Sequence, residues 1–140
     1  MTAMSNYMED KLIDHIFRDT AWAVESGLHV GLVGQYVAAE LEAGTITKEI
    51  SGNAYARISV KGNANWNVGP DGHPGLTDNE NEIAFVAAAG GDWGHISGLF
   101  LSTASTGGEV ILYGPLTSVK IVEDGDQFVI AAGDLDITFA

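Results

Sequence analysis

Trp93-Gly94-His95-Ile96-Ser97-Gly98-Leu99-Phe100-Leu101-Ser102 decides the fold class. Read in twos, it puts Trp93, His95, Ser97, Leu99 and Leu101 on one face and Ile96 and Phe100 on the other. That alternation predicts a β-strand. Similar runs lie on both sides of it. Upstream are Gly27–Gln35, Thr45–Ile50, Tyr55–Val60 and Ile83–Ala88; downstream are Glu109–Tyr113, Ser118–Val122, Gln127–Ala132 and Leu135–Phe139. Turns are predicted at Thr106-Gly107-Gly108, Gly114-Pro115, Asp124-Gly125-Asp126 and Gly133-Asp134. Short strands at roughly 8–12-residue spacing with glycine turns predict a mainly all-β chain of about eight strands, an antiparallel β-sandwich of jelly-roll type. The expected core is Leu32, Ile58, Phe85, Ile96, Phe100, Ile111, Val129 and Ile137. Tyr36–Ala43 fits a helical turn or a loop. Lys61–Asn81, rich in Gly, Asn, Asp and Pro, reads as a long loop with a short strand around Trp66. Long loops in compact domains are often functional.

One segment breaks the β pattern. In Asn6-Tyr7-Met8-Glu9-Asp10-Lys11-Leu12-Ile13-Asp14-His15-Ile16-Phe17-Arg18, Met8, Leu12 and Ile16 recur every four residues, with Ile13 and Phe17 beside them. This predicts an amphipathic helix over about residues 6–20, capped by Asn6 with Glu9 reaching back. Its apolar face has to be covered, either by the chain's own β core or by a partner.

The 140 residues suit one domain without repeat or linker, and 46% hydrophobic against 18% charged residues is a globular composition. There is no cysteine, which excludes disulfides, thiol catalysis and Cys-ligated zinc. No apolar run approaches the ~18 residues that span a bilayer, and Glu9, Asp10 and Asp14 interrupt what would be a signal peptide's apolar core. Nineteen acidic residues against six basic ones give a formal charge of −13. Such a field repels nucleic acid and anionic membranes and suits a positively charged protein surface.

A search for chemistry finds no constellation. The four histidines, His15, His29, His73 and His95, show no metal-ligand spacing. Asp78, Glu80 and Glu82 lack the glycine and closing Glu of a calcium loop. Val68 to Gly75 has glycines but no phosphate-binding lysine. No catalytic residue, cofactor or metal is therefore expected.

The order of short motifs along the chain resembles a family of small tailed-bacteriophage virion proteins, often labelled tail-fibre-like. The segment Asn6–Arg18 opens the series. Val30-Gly31-Leu32, Glu49-Ile50-Ser51-Gly52-Asn53-Ala54-Tyr55-Ala56-Arg57 and Asn65-Trp66 follow. Ile83-Ala84-Phe85, Trp93-Gly94, Ser97-Gly98-Leu99-Phe100, Leu112-Tyr113-Gly114-Pro115-Leu116 and Gly125-Asp126 through Leu135 close it. Between Tyr36 and Thr47 the family pattern is a Pro- and Gly-rich loop, whereas this chain carries Ala38-Ala39-Glu40-Leu41-Glu42-Ala43. The resemblance implies a virion structural protein. Its small size favours a cement or decoration protein on the capsid exterior. The alternative is a tail-associated fibre, tip or adaptor component, and a glycan-acting enzyme is a remote third. The implied partners are the major capsid protein or tail structural proteins, with the chain itself a homo-oligomer, a dimer or trimer. Expected assembly contacts are Met8, Leu12, Ile16 and Phe17 on the helix, and Trp66 and His73 in the loop Asn63–Leu76.

Overall fold

A computed structural model describes residues 3–138 other than Val24 and His73. Among these residues ten strands, all in antiparallel pairs, make three sheets. They are β1 (Ala3–Met4), β2 (His29–Val33), β3 (Ile58–Ser59), β4 (Trp66–Val68), β5 (Leu76–Asn79), β6 (Ile83–Ala84), β7 (Gly94–Ser102), β8 (Val110–Val122), β9 (Val129–Ile130) and β10 (Ile137–Thr138). The main sheet has the order β1-β8-β7-β2-β3, and the smaller ones are β10-β5-β4 and β6-β9. Among the described residues two α-helices, α1 (Asn6–Phe17) and α2 (Ala38–Glu42), and two short 3-10 helices, Asn63–Asn65 and Pro70–Gly72, complete the fold. The mainly antiparallel β class expected from the alternation is the class observed.

The main core lies between one face of the five-stranded sheet and the two smaller sheets. Val30, Leu32, Leu99, Leu101 and Leu112 supply the first wall; Ile83, Phe85, Phe128, Ile130 and Ile137 face them. A second, smaller cluster fills the opposite face of the large sheet. There Val33, Phe100, Val110 and Tyr113 are covered by Leu41 of α2 and by Tyr36 and Ile46.

Several local expectations are corrected. The helix ends at Phe17, and its cap is the buried Ser5, not Asn6: Ser5 Oγ accepts from Met8 N–H at 3.3 Å. With the cap at residue 5, Glu9 is one position too late for a capping box. The predicted turn at Gly114-Pro115 is absent, and β8 runs straight through it. Pro115 pairs with Gly98, and Leu116 to Val119 bulge out opposite the single Ser97. Beyond Tyr113 no described strand pairs with the outer edge of β8, so a residue without an N–H is tolerated there. The same irregularity breaks the alternation of β7: Ile96 joins Leu99 and Leu101, leaving Phe100 on the other face. Val129 is 41% exposed, because Phe128 and Ile130 are the residues turned inward. A shift of one residue in a strand exchanges its faces. Ile58 is half-buried. The other expected core residues, Leu32, Phe85, Ile96, Phe100, Ile111 and Ile137, are buried. Thr45–Ile50 contributes one isolated bridge, Val33 to Glu49, where a strand was expected. Leu76–Asn79, expected as loop, is a strand. Phe139, expected in the last strand, lies outside the described residues.

Gly31 is fixed by close approach. It pairs with Phe100 across β2 and β7, and the Phe100 ring folds over it. A Cβ on Gly31 would lie 2.2 Å from Phe100 Cζ, and the Arg57 guanidinium covers the ring 4.8 Å from its centroid. Neither neighbour has room to retreat. Gly31→Ala is expected to lower stability by about 1–3 kcal/mol, the cost of overpacking a tight core. Urea unfolding checks this; an unchanged midpoint would show that the ring can move.

Candidate functional site

The two regions expected to carry assembly contacts can be followed residue by residue. Helix α1 is attached at its start. β1 pairs with β8 through Ala3–Tyr113 and Met4–Leu112, Ser5 N–H donates to Ile111 C=O at 3.0 Å, and Ser5 Oγ donates to Val110 C=O. Met8 packs on the main core and Leu12 is half-buried. Farther along, the apolar stripe leaves the protein: Ile13, Ile16 (64%) and Phe17 (79%) are exposed. The helix therefore splits the four expected contact residues: Met8 packs on the core, Leu12 is half-buried, and Ile16 and Phe17 are exposed. No residue of the helix is fully buried.

Several polar contacts hold this arm. Lys11 Nζ lies 5.4 Å from the Tyr7 ring centroid, and Arg18 pairs with Asp14 at 2.9 Å. The Tyr7 hydroxyl donates to Glu25 Oε1 at 2.6 Å. This donated bond, then burial and the Glu25 charge, raise the Tyr7 hydroxyl from 10.0 to about 12. Tyr36, Tyr55 and Tyr113 are also raised, each chiefly by burial. A folded-state pKa above the unfolded value contributes stability that is complete below pH 10 and disappears as pH climbs through the folded value. The protein is therefore expected to hold its fold to pH 10 and loosen above it. Tyrosinate absorbance should rise later than in the unfolded chain, and a titration centred on pH 10 would contradict the geometry.

The second region is a groove. Trp66 is half-buried, its Nε1–H donating to Val60 C=O at 2.8 Å while the ring lines an open cavity of about 460 Å³. Leu28, Leu101, Ile111 and Leu112 form one wall of this cavity, and Val68, Leu76 and Ile137 form the other. Thr77 is its one polar lining side chain, and none is charged. It is the mouth left where the three-stranded sheet stands off from the large one. Val68, 88% exposed, stands at its rim. His73, also expected as a contact, lies outside the described residues. Sequence reasoning missed Leu28, Val68 and Leu76 as partners of Trp66. The available signal was Val68 itself, an isolated large aliphatic residue in a polar stretch.

A second cleft, of about 450 Å³, opens beside the bulge of β8. Its lining is mixed, with Lys120, Thr117, Ser118, Asp134 and Asp136 among apolar residues such as Leu99, Leu116, Phe128 and Ile130. Its two carboxylates come from one short segment, whereas glycoside cleavage places them on either side of the scissile bond. Among the described residues no three His, Asp or Glu side chains are grouped to hold a metal. No helix of the described residues is long and apolar enough to cross a membrane.

The polar side chains that do converge serve the fold. Arg57 Nε and Nη2 donate to the two carboxylate oxygens of Glu49 at 2.7 and 2.8 Å. Arg57 Nη1 donates to Ser102 Oγ and to the carbonyls of Ala104 and Gly107. This fixes the loop between β7 and β8 against the outer face of the sheet.

Compared with known proteins, residues 3–138 match the model of a family described as podophage GP4 fiber I protein gp80. The match takes in the helix, the groove and both clusters of the core. No curated protein matches the chain.

Proposed function

The chain belongs to the podophage GP4 fiber I protein gp80 family, and from that premise we propose that it is a tail-associated fibre subunit of the phage particle. Membership makes it a virion structural protein of the fibre type. The observation that supports the tail reading is the family's description as a fibre protein, matched over residues 3–138. Head decoration, which small size favoured, fits the family's description less well.

The geometry supports a role in assembly over one in catalysis. The lining of the apolar Trp66 groove holds no titratable group. The cleft beside β8 has no histidine in its lining. An arm with an exposed apolar stripe and an uncharged groove are features that bind protein surfaces. The partners are other tail structural proteins and further copies of the chain. The charge of −13 disfavours phosphate and keeps the subunit away from packaged DNA.

Gold-labelled antibody raised against the purified chain tests the placement on intact particles. Label confined to the tail is the expected result. Label spread over the head shell would replace the fibre reading with decoration.

A further inference from the structure

We propose that the open side of the domain between β8 and β9 takes up an extended segment of another tail protein as an added β-strand, one that alternates aliphatic with basic side chains. This rests on the fibre-subunit reading for its setting and names the chemistry of one partner. Two strand edges meet there with no strand between them. Among the described residues β8 pairs on its outer side only with β1, at Leu112 and Tyr113, so Pro115 to Val122 present a free edge. β9 pairs only with β6, and its other edge is free as well. The two edges are the lips of one trough. The cleft of about 450 Å³ beside the β8 bulge adjoins another of about 290 Å³, and Lys120, Phe128 and Val129 line both. No residue of β6 lines either, so the trough lies on the side of β9 away from β6. Buried residues Leu99, Phe128, Ile130 and Leu135 lie at its base, and Ile121 and Val129 stand exposed at its lips. Unpaired N–H and C=O groups along an edge are matched in register only by another extended backbone, which is why open edges recruit strands.

Charge and sequence identify the occupant. Three exposed aspartates, Asp126, Asp134 and Asp136, line the trough against one lysine, Lys120. Successive side chains of a strand point to opposite faces. An added strand therefore turns one set onto the apolar base and the other outward among these carboxylates. Aliphatic residues suit the first position, and lysine or arginine the second. A second copy does not offer such a strand. Its own β8 edge carries Pro115 and Lys120, and prolines and edge lysines discourage like edges from pairing. Within Tyr55–Lys61 two bases, Arg57 and Lys61, flank the aliphatic residues Ile58 and Val60. That stretch is already committed: Ile58–Ser59 pairs with β2 and Arg57 is held by Glu49. The strand thus comes from a different protein, and the chain's charge of −13 attracts a basic one.

The probe is a capped synthetic peptide that alternates lysine and valine, titrated into the full chain at physiological salt. Saturable binding is expected, with hydrogen exchange slowed at least about tenfold at backbone amides within residues 116–122 and 127–130. A strand held between two edges uses its N–H groups on both sides. Methylating either alternate set of peptide nitrogens keeps every side chain, yet should weaken binding at least about tenfold. An Asp134→Lys/Asp136→Lys variant, changed only at exposed positions, should also bind about tenfold more weakly. Circular dichroism confirms that it remains folded. The counterpart peptide of glutamate and valine should not bind. Equal binding of the methylated peptides would reduce the contact to diffuse charge attraction and overturn the proposal. Absence of saturable binding, or protection of amides elsewhere, would overturn it too. So would a chain that, without peptide, runs at a multiple of 14.7 kDa and protects these same amides, since the occupant would then be a second copy. Failed binding alongside tail-confined gold label removes this site and leaves the fibre reading intact; binding alongside label on the head does the reverse.

Discussion

Arg57→Ala is expected to cost about 3–5 kcal/mol, the range for stranding one member of a buried ion pair. That is a large share of the roughly 5–15 kcal/mol that holds a domain folded. The Arg57 side chain is 3% exposed, and its guanidinium is shared among Glu49, Ser102 and the carbonyls of Ala104 and Gly107. Truncation removes the Arg57 donor from all of these at once, though Glu49 keeps the Tyr55 hydroxyl and the Gly107 carbonyl keeps Ser102 Oγ. Glu49 is 21% exposed, so water recovers part of its charge and the effect falls toward the lower figure. The loss does not stop at the ion pair. Glu49 Oε1 also accepts from the Tyr55 hydroxyl, which in turn accepts from Leu32 N–H, so the network ends on β2 of the large sheet. Arg57→Lys keeps the charge but not the fork, and is expected to recover only a minor part of the loss. Urea unfolding measures both variants. A cost below about 1 kcal/mol for Arg57→Ala, the value of an exposed pair, would show that the network contributes no more than a surface contact.

Phe85→Ala is expected to destabilise by a similar amount, about 3–5 kcal/mol, by a different mechanism. Phe85 is fully buried at the centre of an aromatic cluster. Tyr55 stacks on it at 6.1 Å, Trp93 meets it edge-on at 6.3 Å and Phe128 does so at 5.8 Å. Removing the ring opens a cavity whose three neighbours are too rigid to close it. Phe85→Leu refills part of that volume and should cost less. Near-ultraviolet circular dichroism, which reports the fixed packing of Trp93 and the tyrosines, should weaken in the alanine variant before the far-ultraviolet signal does. An alanine variant with an unchanged aromatic spectrum would mean that the cluster does not pack as a unit.

Fold class and core were legible wherever strand period and burial agreed. Leu32, Phe85 and Phe100 are buried as expected, although Phe100 lies on the face opposite Ile96. Legibility failed where tertiary context overrode a local signal. Gly114-Pro115 is turn chemistry in isolation, yet it lies on an open edge that tolerates a missing donor. Val129 and Ile130 are interchangeable by composition, and only the pairing of Ile130 with Ile83 decides which is inside. Ser5 outcompeted Asn6 as the helix cap because β1 had already fixed its backbone against β8. The candidate site was half legible. Periodicity exposed the apolar stripe of α1 but not where along it the core lets go. Trp66 stood out by type, whereas its groove partners arrive from strands far apart in sequence. The Arg57–Glu49 pair had no readable signal, since a lone basic residue in an amphipathic strand looks solvent-facing.

The attachment of α1 also sets how the subunit responds to mechanical load. A pull on the helix is carried first by β1, two residues long and outermost in the sheet, and by the single buried residue Ser5. Strands β2, β7 and β8 lie behind it, joined by far longer ladders. Tension applied through the arm therefore unzips the N-terminal edge while the rest of the sheet stays closed, and slack lets Met4 and Met8 settle back onto Leu112 and the core. Such a tether yields at a defined place and spares the folded body.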